Sequence, residues 1–246
     1  LIHTGSRGLG HQVATDYIRQ MVTAMASYDI KLPDRELACV PFNSREGQDY
    51  FAAMCAAANF AWCNRQLVTW EVRQVWKNIF GPDEAPPEVL YDVAHNIAKV
   101  ETHEIEGVPQ KVVVHRKGAT RAFGPWHEEI PCSHKPFGQA VLIPGSMGTS
   151  SYVLAGAQDS AHVAFGSCCH GAGRRLSRTA AKKQVNAPVL KQELQEAGIY
   201  LEASYRRIAE EAPEAYKDVD AVVRSVSAAG IVTPVAQLKP LAAIKG

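Results

Sequence analysis

The sequence predicts an α+β fold, with mixed sheets and surrounding helices, on three observations. Apolar residues recur at helical spacing through the first third of the chain. The middle turns to short β-branched runs broken by glycine, and the tail returns to helix-like stretches. Nothing marks a domain boundary, so the 246 residues are expected to form part of a single domain.

After a Gly5–Gly10 turn, Val13, Tyr17, Met21 and Met25 mark a first helix that breaks near Asp29. A second helix is predicted from Arg45 to Asn64, with Phe51, Cys55, Ala58 and Trp62 on one face. A third runs from Leu67 to Phe80, repeats Val68, Val72, Val75 and Ile79, and stops at Gly81-Pro82. Both stripes read as core. Strand character begins at Val89–Val93, continues in a hairpin turning at Glu106-Gly107, and recurs at Ala140–Ile143 and Ser151–Leu154. Helices follow at Asn186–Ala197 and Tyr216–Ala228. Pro234 and Pro240 make the last apolar run, Ile231–Ile244, an edge or irregular strand.

Formal charge is only +1, so any nucleic-acid surface has to come from a local cluster of cations. Six cysteines without a C-x-x-C pair argue against a zinc ribbon or a disulfide framework and for a reducing, cytoplasmic setting. No stretch approaches the roughly 20 apolar residues of a membrane span, and no membrane partner is expected. The opening Leu1-Ile2-His3 lacks an initiator methionine and runs at once into a strand-like pair, which reads as a chain cut from something longer.

The chemistry concentrates in Cys168-Cys169-His170-Gly171-Ala172-Gly173-Arg174-Arg175-Leu176-Ser177-Arg178. Small residues let backbone N–H groups approach an anion, and arginine grips phosphate in a planar fork. The segment reads either as a phosphate site with His170 poised to attack or as a glycine turn capping a helix. His3, His95 and His170 each stand where a strand-like run meets a turn, and imidazole donors suit manganese, zinc, nickel or cobalt better than magnesium. Gly5-Ser6-Arg7-Gly8-Leu9-Gly10 lacks the acidic residue and full strand of a dinucleotide loop, so it reads as a turn presenting Arg7 to a phosphate. His115–Arg121 adds a basic loop and Pro144–Ser151 a hydroxyl-rich one; either could equally be an ordinary hairpin end.

These segments, taken in order, closely resemble the RtcB family of RNA ligases. The resemblance rests on His3-Thr4-Gly5-Ser6-Arg7-Gly8-Leu9-Gly10-His11-Gln12, Gly47-Gln48-Asp49-Tyr50, Tyr91–Lys99, His115–Phe123, His170-Gly171-Ala172-Gly173-Arg174, Glu211–Tyr216 and Ile244-Lys245-Gly246. It implies an RtcB-like fold and a reaction that joins an RNA 3′-phosphate or 2′,3′-cyclic-phosphate end to a 5′-hydroxyl end, in tRNA splicing or RNA repair. GTP and two manganese ions per intact site are the implied cofactors.

His170 matches the histidine that the family guanylylates, and His3 and His95 match two manganese ligands. Asn96, Ser146, Ser151, Ala172, Gly173, Tyr216 and Lys245 resemble guanine-nucleotide contacts. Arg7, Lys117, Arg174 and Arg178 resemble residues that hold RNA phosphates. The resemblance also implies RNA ends such as tRNA halves and the activator archease as partners. The family's remaining ligands, an aspartate and a cysteine three residues apart plus another histidine, belong to an N-terminal half that this sequence does not include. The chain is therefore expected to be the C-terminal half of the fold, incomplete and inactive alone. Two other readings stay open: a non-catalytic RNA- or nucleotide-binding segment, and a metal-dependent phosphohydrolase.

Overall fold

The computed structural model describes residues 1–34 and 37–245, the last of them by its backbone alone. The chain divides into two compact units, Leu1–Asp92 and Val93–Gly246. No helix among the described residues is long and apolar enough to cross a membrane.

The first unit pairs two helices, α1 (Arg7–Ala24) and α2 (Arg45–Phe80). The glycine turn is shorter than the sequence suggests: α1 already begins at Arg7, so Gly8 and Gly10 lie within its first turn. A short 3₁₀ turn, Met25–Tyr28, ends α1 at Asp29, which takes a left-handed backbone. Ser44 caps α2, its hydroxyl accepting from the Gly47 N–H at 3.1 Å, and Gln48 donates to the Phe42 carbonyl at 2.7 Å. Tyr17 meets Tyr50 with ring centroids 5.4 Å apart, and Tyr28 donates to Glu46.

The two helices expected at Arg45–Asn64 and Leu67–Phe80 are one continuous helix of 36 residues. The helix runs on through Asn64-Arg65-Gln66, where Asn64 and Arg65 find partners beyond the helix axis. Asn64 donates to the Thr4 hydroxyl and the Gly5 carbonyl, and Arg65 to the Thr4 carbonyl and Asp92. The second stripe is not core either: Val72, Val75 and Ile79 are exposed. At 1.5 Å per residue α2 is about twice as long as the 18-residue α1, so α1 cannot cover its far half.

The second unit is built of small sheets and short helices. Strands β1 (Asn96–Ile105) and β2 (Val108–Lys117) form the expected antiparallel hairpin, with Glu106 and Gly107 at positive φ as a two-residue turn requires. Val89–Val93, predicted as strand, is irregular. Its apolar residues have no ladder partner, and periodicity alone does not supply one.

Short β3 (Ala119–Arg121) pairs antiparallel with β6 (Ser167–Cys169). A three-stranded sheet runs β4 (Ala140–Ile143), β5 (Ser151–Gly156), β8 (Val232–Leu238), with Pro234-containing β8 at its edge and an irregularity opposite Val153/Leu154, as the prolines foretell. Parallel β7 (Tyr200–Ala203) and β9 (Ala242–Lys245) close the set.

Helices α3 (Ser160–Ala164), α4 (Arg178–Gln184), α5 (Ala187–Glu196), α6 (Tyr205–Glu210) and α7 (Val219–Ala228) pack around these sheets. The helix predicted at Asn186–Ala197 is α5, with Asn186 as its cap. Helix α7 starts at Val219, three residues after the predicted Tyr216, because Asp218 accepts from the Asp220 N–H as its cap. The observed class is α+β.

Two apolar clusters support the unit. Met147, Leu190, Leu194, Leu201 and Ile208 centre one, and Val141, Ile143, Leu154, Cys168 and Val223 the other.

Candidate active site

Strand register sets the position of His170. β6 pairs with β3 through Ala119↔Cys169 and Thr120↔Cys168, so the chain leaves the ladder at His170, directly beside Gly118. The His170 N–H donates to the Gly118 carbonyl at 2.9 Å. The Gly118 N–H donates to the His95 carbonyl at 2.7 Å and to the Asn96 side-chain oxygen at 3.1 Å. One residue thus ties the loop entering β1 to the loop leaving β6. Gly118 has φ +67°, a conformation that costs any residue bearing a Cβ roughly 1–2 kcal/mol.

The two imidazoles held by this junction stack. His95 and His170 have ring centroids 4.2 Å apart and planes 8° from parallel. An imidazole nitrogen donates through a lone pair in the ring plane, so fixing the plane fixes the direction from which any electrophile or metal is met.

The Cys168 thiol is buried, and its hydrogen bond to Cys169 together with that burial pushes its pKa up. Cys169 is lowered to about 7 by the Cys168 hydrogen bond, which outweighs burial with help from the Gly171 backbone.

Beyond His170, the Gly-Ala-Gly segment is stitched to Tyr216. Gly173 has φ +76°, and its carbonyl accepts from the Lys217 N–H at 3.0 Å; Arg174 bridges Tyr216 in an isolated β-bridge. The Arg174 guanidinium lies 4.8 Å from the Tyr216 ring centre. It donates to the Tyr216 hydroxyl at 2.8 Å, to the Leu176 carbonyl at 3.0 Å and to the Glu210 carbonyl at 2.6 Å. The Tyr216 hydroxyl in turn donates to Glu211. Burial, then the Glu211 carboxylate, pushes this phenol up to about 12. Arg174, read from sequence as an RNA contact, therefore also holds the fold around Tyr216.

The remaining predicted residues are spread over several elements. Ser146 lies in the β4–β5 loop and Ser151 opens β5, and both brace the turn: the Ser146 N–H donates to Thr149 at 2.8 Å, and the Ser151 hydroxyl accepts from the Gly145 N–H at 3.0 Å. Ala172 and Tyr152 pack on the same buried cluster, so the 170s segment and β5 share a foundation. Lys117, at the end of β2, and Arg178, opening α4, are exposed. Lys245 pairs by backbone with Ala203, and its side chain lies outside the described residues. His3 and Arg7 belong to the first unit, where the Asn64 and Arg65 bonds to Thr4 and Gly5 fix the backbone that follows His3.

Sequence reasoning missed Gly118, whose role depends on pairing between distant short strands, although it sits inside the His115–Arg121 motif. It also missed Glu101, Arg116 and His103, buried in the hairpin. Arg116 donates both outer nitrogens to Glu101, at 2.6 and 2.9 Å, and reaches the Phe165 carbonyl and the Ser167 hydroxyl at 2.9 Å. His103 approaches Glu101 at 3.0 Å. Burial alone would raise the Glu101 pKa, but the Arg116 fork and His103 bring it below the ordinary value. This cluster anchors the strand that delivers His170.

The site thus sets an imidazole pair beside a glycine hub, followed by a Gly-Ala-Gly-Arg segment, and the sequence comparisons give the chain a family. The profile described as tRNA-splicing ligase RtcB matches residues 1–246, and the chain belongs to that family.

It is 57% identical over 249 residues to the tRNA-splicing ligase RtcB of Thermococcus kodakarensis, covering all of this chain and 52% of that protein. The ligase of the same name from Archaeoglobus fulgidus is 54% identical with the same coverage. That of Pyrococcus abyssi is 57% identical, with 27% of its length covered. The chain thus spans from about a quarter to about half the length of these relatives.

Proposed function

We propose that the chain carries the nucleotide-accepting histidine of a GTP- and manganese-dependent RNA ligase that joins 3′-phosphate or 2′,3′-cyclic-phosphate ends to 5′-hydroxyl ends. The observation that carries the reading is His170. It is the first residue of the family's His-Gly-Ala-Gly-Arg motif, with its ring set against His95 and its backbone fixed by Gly118.

In the first step a His170 ring nitrogen attacks the α-phosphorus of GTP. A P–N bond forms, the α–β phosphoanhydride bond breaks, and pyrophosphate leaves. A 2′,3′-cyclic end is first opened by water, which breaks the P–O2′ bond and leaves a 3′-phosphate and a 2′-hydroxyl; the RNA 3′-phosphate oxygen then takes the guanylyl group, breaking the P–N bond and restoring the imidazole. Finally the 5′-hydroxyl attacks the activated 3′-phosphorus and expels GMP. Backbone N–H groups of the Gly171–Gly173 segment, bare of side chains at both glycines, suit the nucleotide phosphates. Asn96, Ser146, Ser151, Ala172, Tyr216 and Lys245 complete the guanine-nucleotide contacts. Arg7, Lys117, Arg174 and Arg178 hold RNA phosphates.

His3 and His95 would be the manganese ligands this chain contributes; nitrogen donors of this kind favour a transition metal over magnesium, and such an ion would offset phosphate charge. Ligation as a whole is the work of the intact protein, in the cytoplasm.

The test supplies the intact protein with Mn²⁺, GTP and two RNA strands bearing 3′-phosphate and 5′-hydroxyl ends. A joined strand that depends on GTP supports the reading. Release of inorganic phosphate without joining would instead identify a phosphohydrolase.

A further inference from the structure

Downstream of the histidine, α4 and α6 carry a surface that the nucleotide chemistry does not use. Glu210 is almost fully buried, with a side chain 5% exposed, yet three cations converge on it: Arg206 at 3.2 Å, Lys182 at 3.3 Å and Arg207 at 3.4 Å. Its neighbour Glu211 draws Arg178 to 3.8 Å in addition to Arg174. Two adjacent carboxylates therefore order five cations, leaving a local excess of three positive charges in a chain whose net charge is only +1.

Glu210 lies inside, beneath more exposed cations. Arg206 and Arg207 remain 76% and 49% exposed, each with more guanidinium donors than its single ion pair consumes. Arg178 and Lys182, one helical turn apart on α4, lie on the same helix face about 6 Å from each other along the axis. A row of exposed donors, fixed from below by buried counter-charges and continuous with Arg178, suits a chain of phosphates better than a single anion.

We infer that Lys182, Arg206 and Arg207 form a track for the RNA phosphate backbone that extends the Arg174–Arg178 contacts away from the joining site. The inference rests on the ligase reading. It adds a sequence-independent grip on the body of the RNA, distinct from recognition of its ends. Glu210 acts as the positioning residue: its carboxylate, held below the ordinary range by Arg206 and Lys182, keeps the three side chains gathered around it.

The experiment measures binding of a single-stranded RNA with hydroxyl groups at both ends, by fluorescence anisotropy over a range of KCl concentrations. It compares the intact protein with Lys182→Gln/Arg206→Gln/Arg207→Gln. Three lost phosphate contacts should weaken binding about tenfold or more at low salt. The slope of log affinity against log salt should become shallower by roughly 2. Incorporation of label from α-labelled GTP, which needs no RNA, should be unchanged. Arg206→Glu, on a highly exposed side chain, tests the same surface should the triple variant fold poorly, and Arg206→Lys should preserve the slope. Unchanged affinity and slope in a folded charge-removal variant would overturn the track. Absence of GMP labelling in the unaltered protein would overturn the ligase reading instead, and the salt slope reports separately from it.

Discussion

His170 lies stacked on His95, with ring centroids 4.2 Å apart and planes 8° from parallel, and a single residue, Gly118, bonds to the backbone of both. The β3–β6 register delivers one histidine and the entry to β1 the other, so their alignment depends on the junction as much as on the rings.

Gly118→Ala isolates that dependence. No neighbouring atom lies where the added methyl would stand, so the cost is purely one of backbone conformation at φ +67°. A loss of about 1–2 kcal/mol in urea denaturation is expected. GMP labelling of His170 should fall further than that loss of stability explains, because both loops shift. Wild-type stability together with wild-type labelling would count against the junction.

Glu101→Gln leaves the Arg116 guanidinium buried and its charge uncompensated, which costs roughly 3–5 kcal/mol. The Glu101 pKa is lowered in the folded state, so its contribution is present above the ordinary glutamate value and is lost as pH falls below it. The stability gap between wild type and variant should therefore narrow on acidification. A gap independent of pH would contradict the pairing.

Tyr216→Phe removes the hydroxyl that joins Arg174 to Glu211 and should cost about 1–2 kcal/mol in thermal or urea unfolding. The phenol's pKa is raised to about 12, so its proton-linked stability is complete below the ordinary tyrosine value and is lost as pH rises through about 12. The variant's stability should fall less steeply over that alkaline range. Identical alkaline profiles would show that the bond is not formed.

Gln66→Pro tests the continuity of α2. In an unbroken helix the ring clashes with the carbonyl of Trp62 and removes a hydrogen bond, costing about 3 kcal/mol with a drop in helical ellipticity. If a break fell between Asn64 and Leu67, the proline would be tolerated.

Local signals carried the sequence reading where a feature depends on nearby residues. The Glu106-Gly107 turn, the helix opening at Asn186 and the edge position of Pro234 all follow from short-range chemistry. The division of α2 at Asn64–Leu67 did not hold, and there Asn64 and Arg65 bond to Thr4, Gly5 and Asp92, contacts that helical spacing does not show.

At the candidate site, His95 and His170 stood out because each lies where a strand-like run meets a turn. Gly118 and Glu101 did not, since their importance comes from contacts with residues some 50 or 15 positions away that no periodicity announces. Arg174 was legible as a cation, but its anchoring of Tyr216 was not.

The central claim is that His170 becomes covalently guanylylated. The direct measurement incubates the intact protein with Mn²⁺ and α-labelled GTP, then follows protein-bound label through acid and alkali. The account predicts a label that is lost in acid, survives alkali, appears with release of pyrophosphate, and is absent from His170→Ala. Label that persists in His170→Ala, or no label in the unaltered protein, would contradict it.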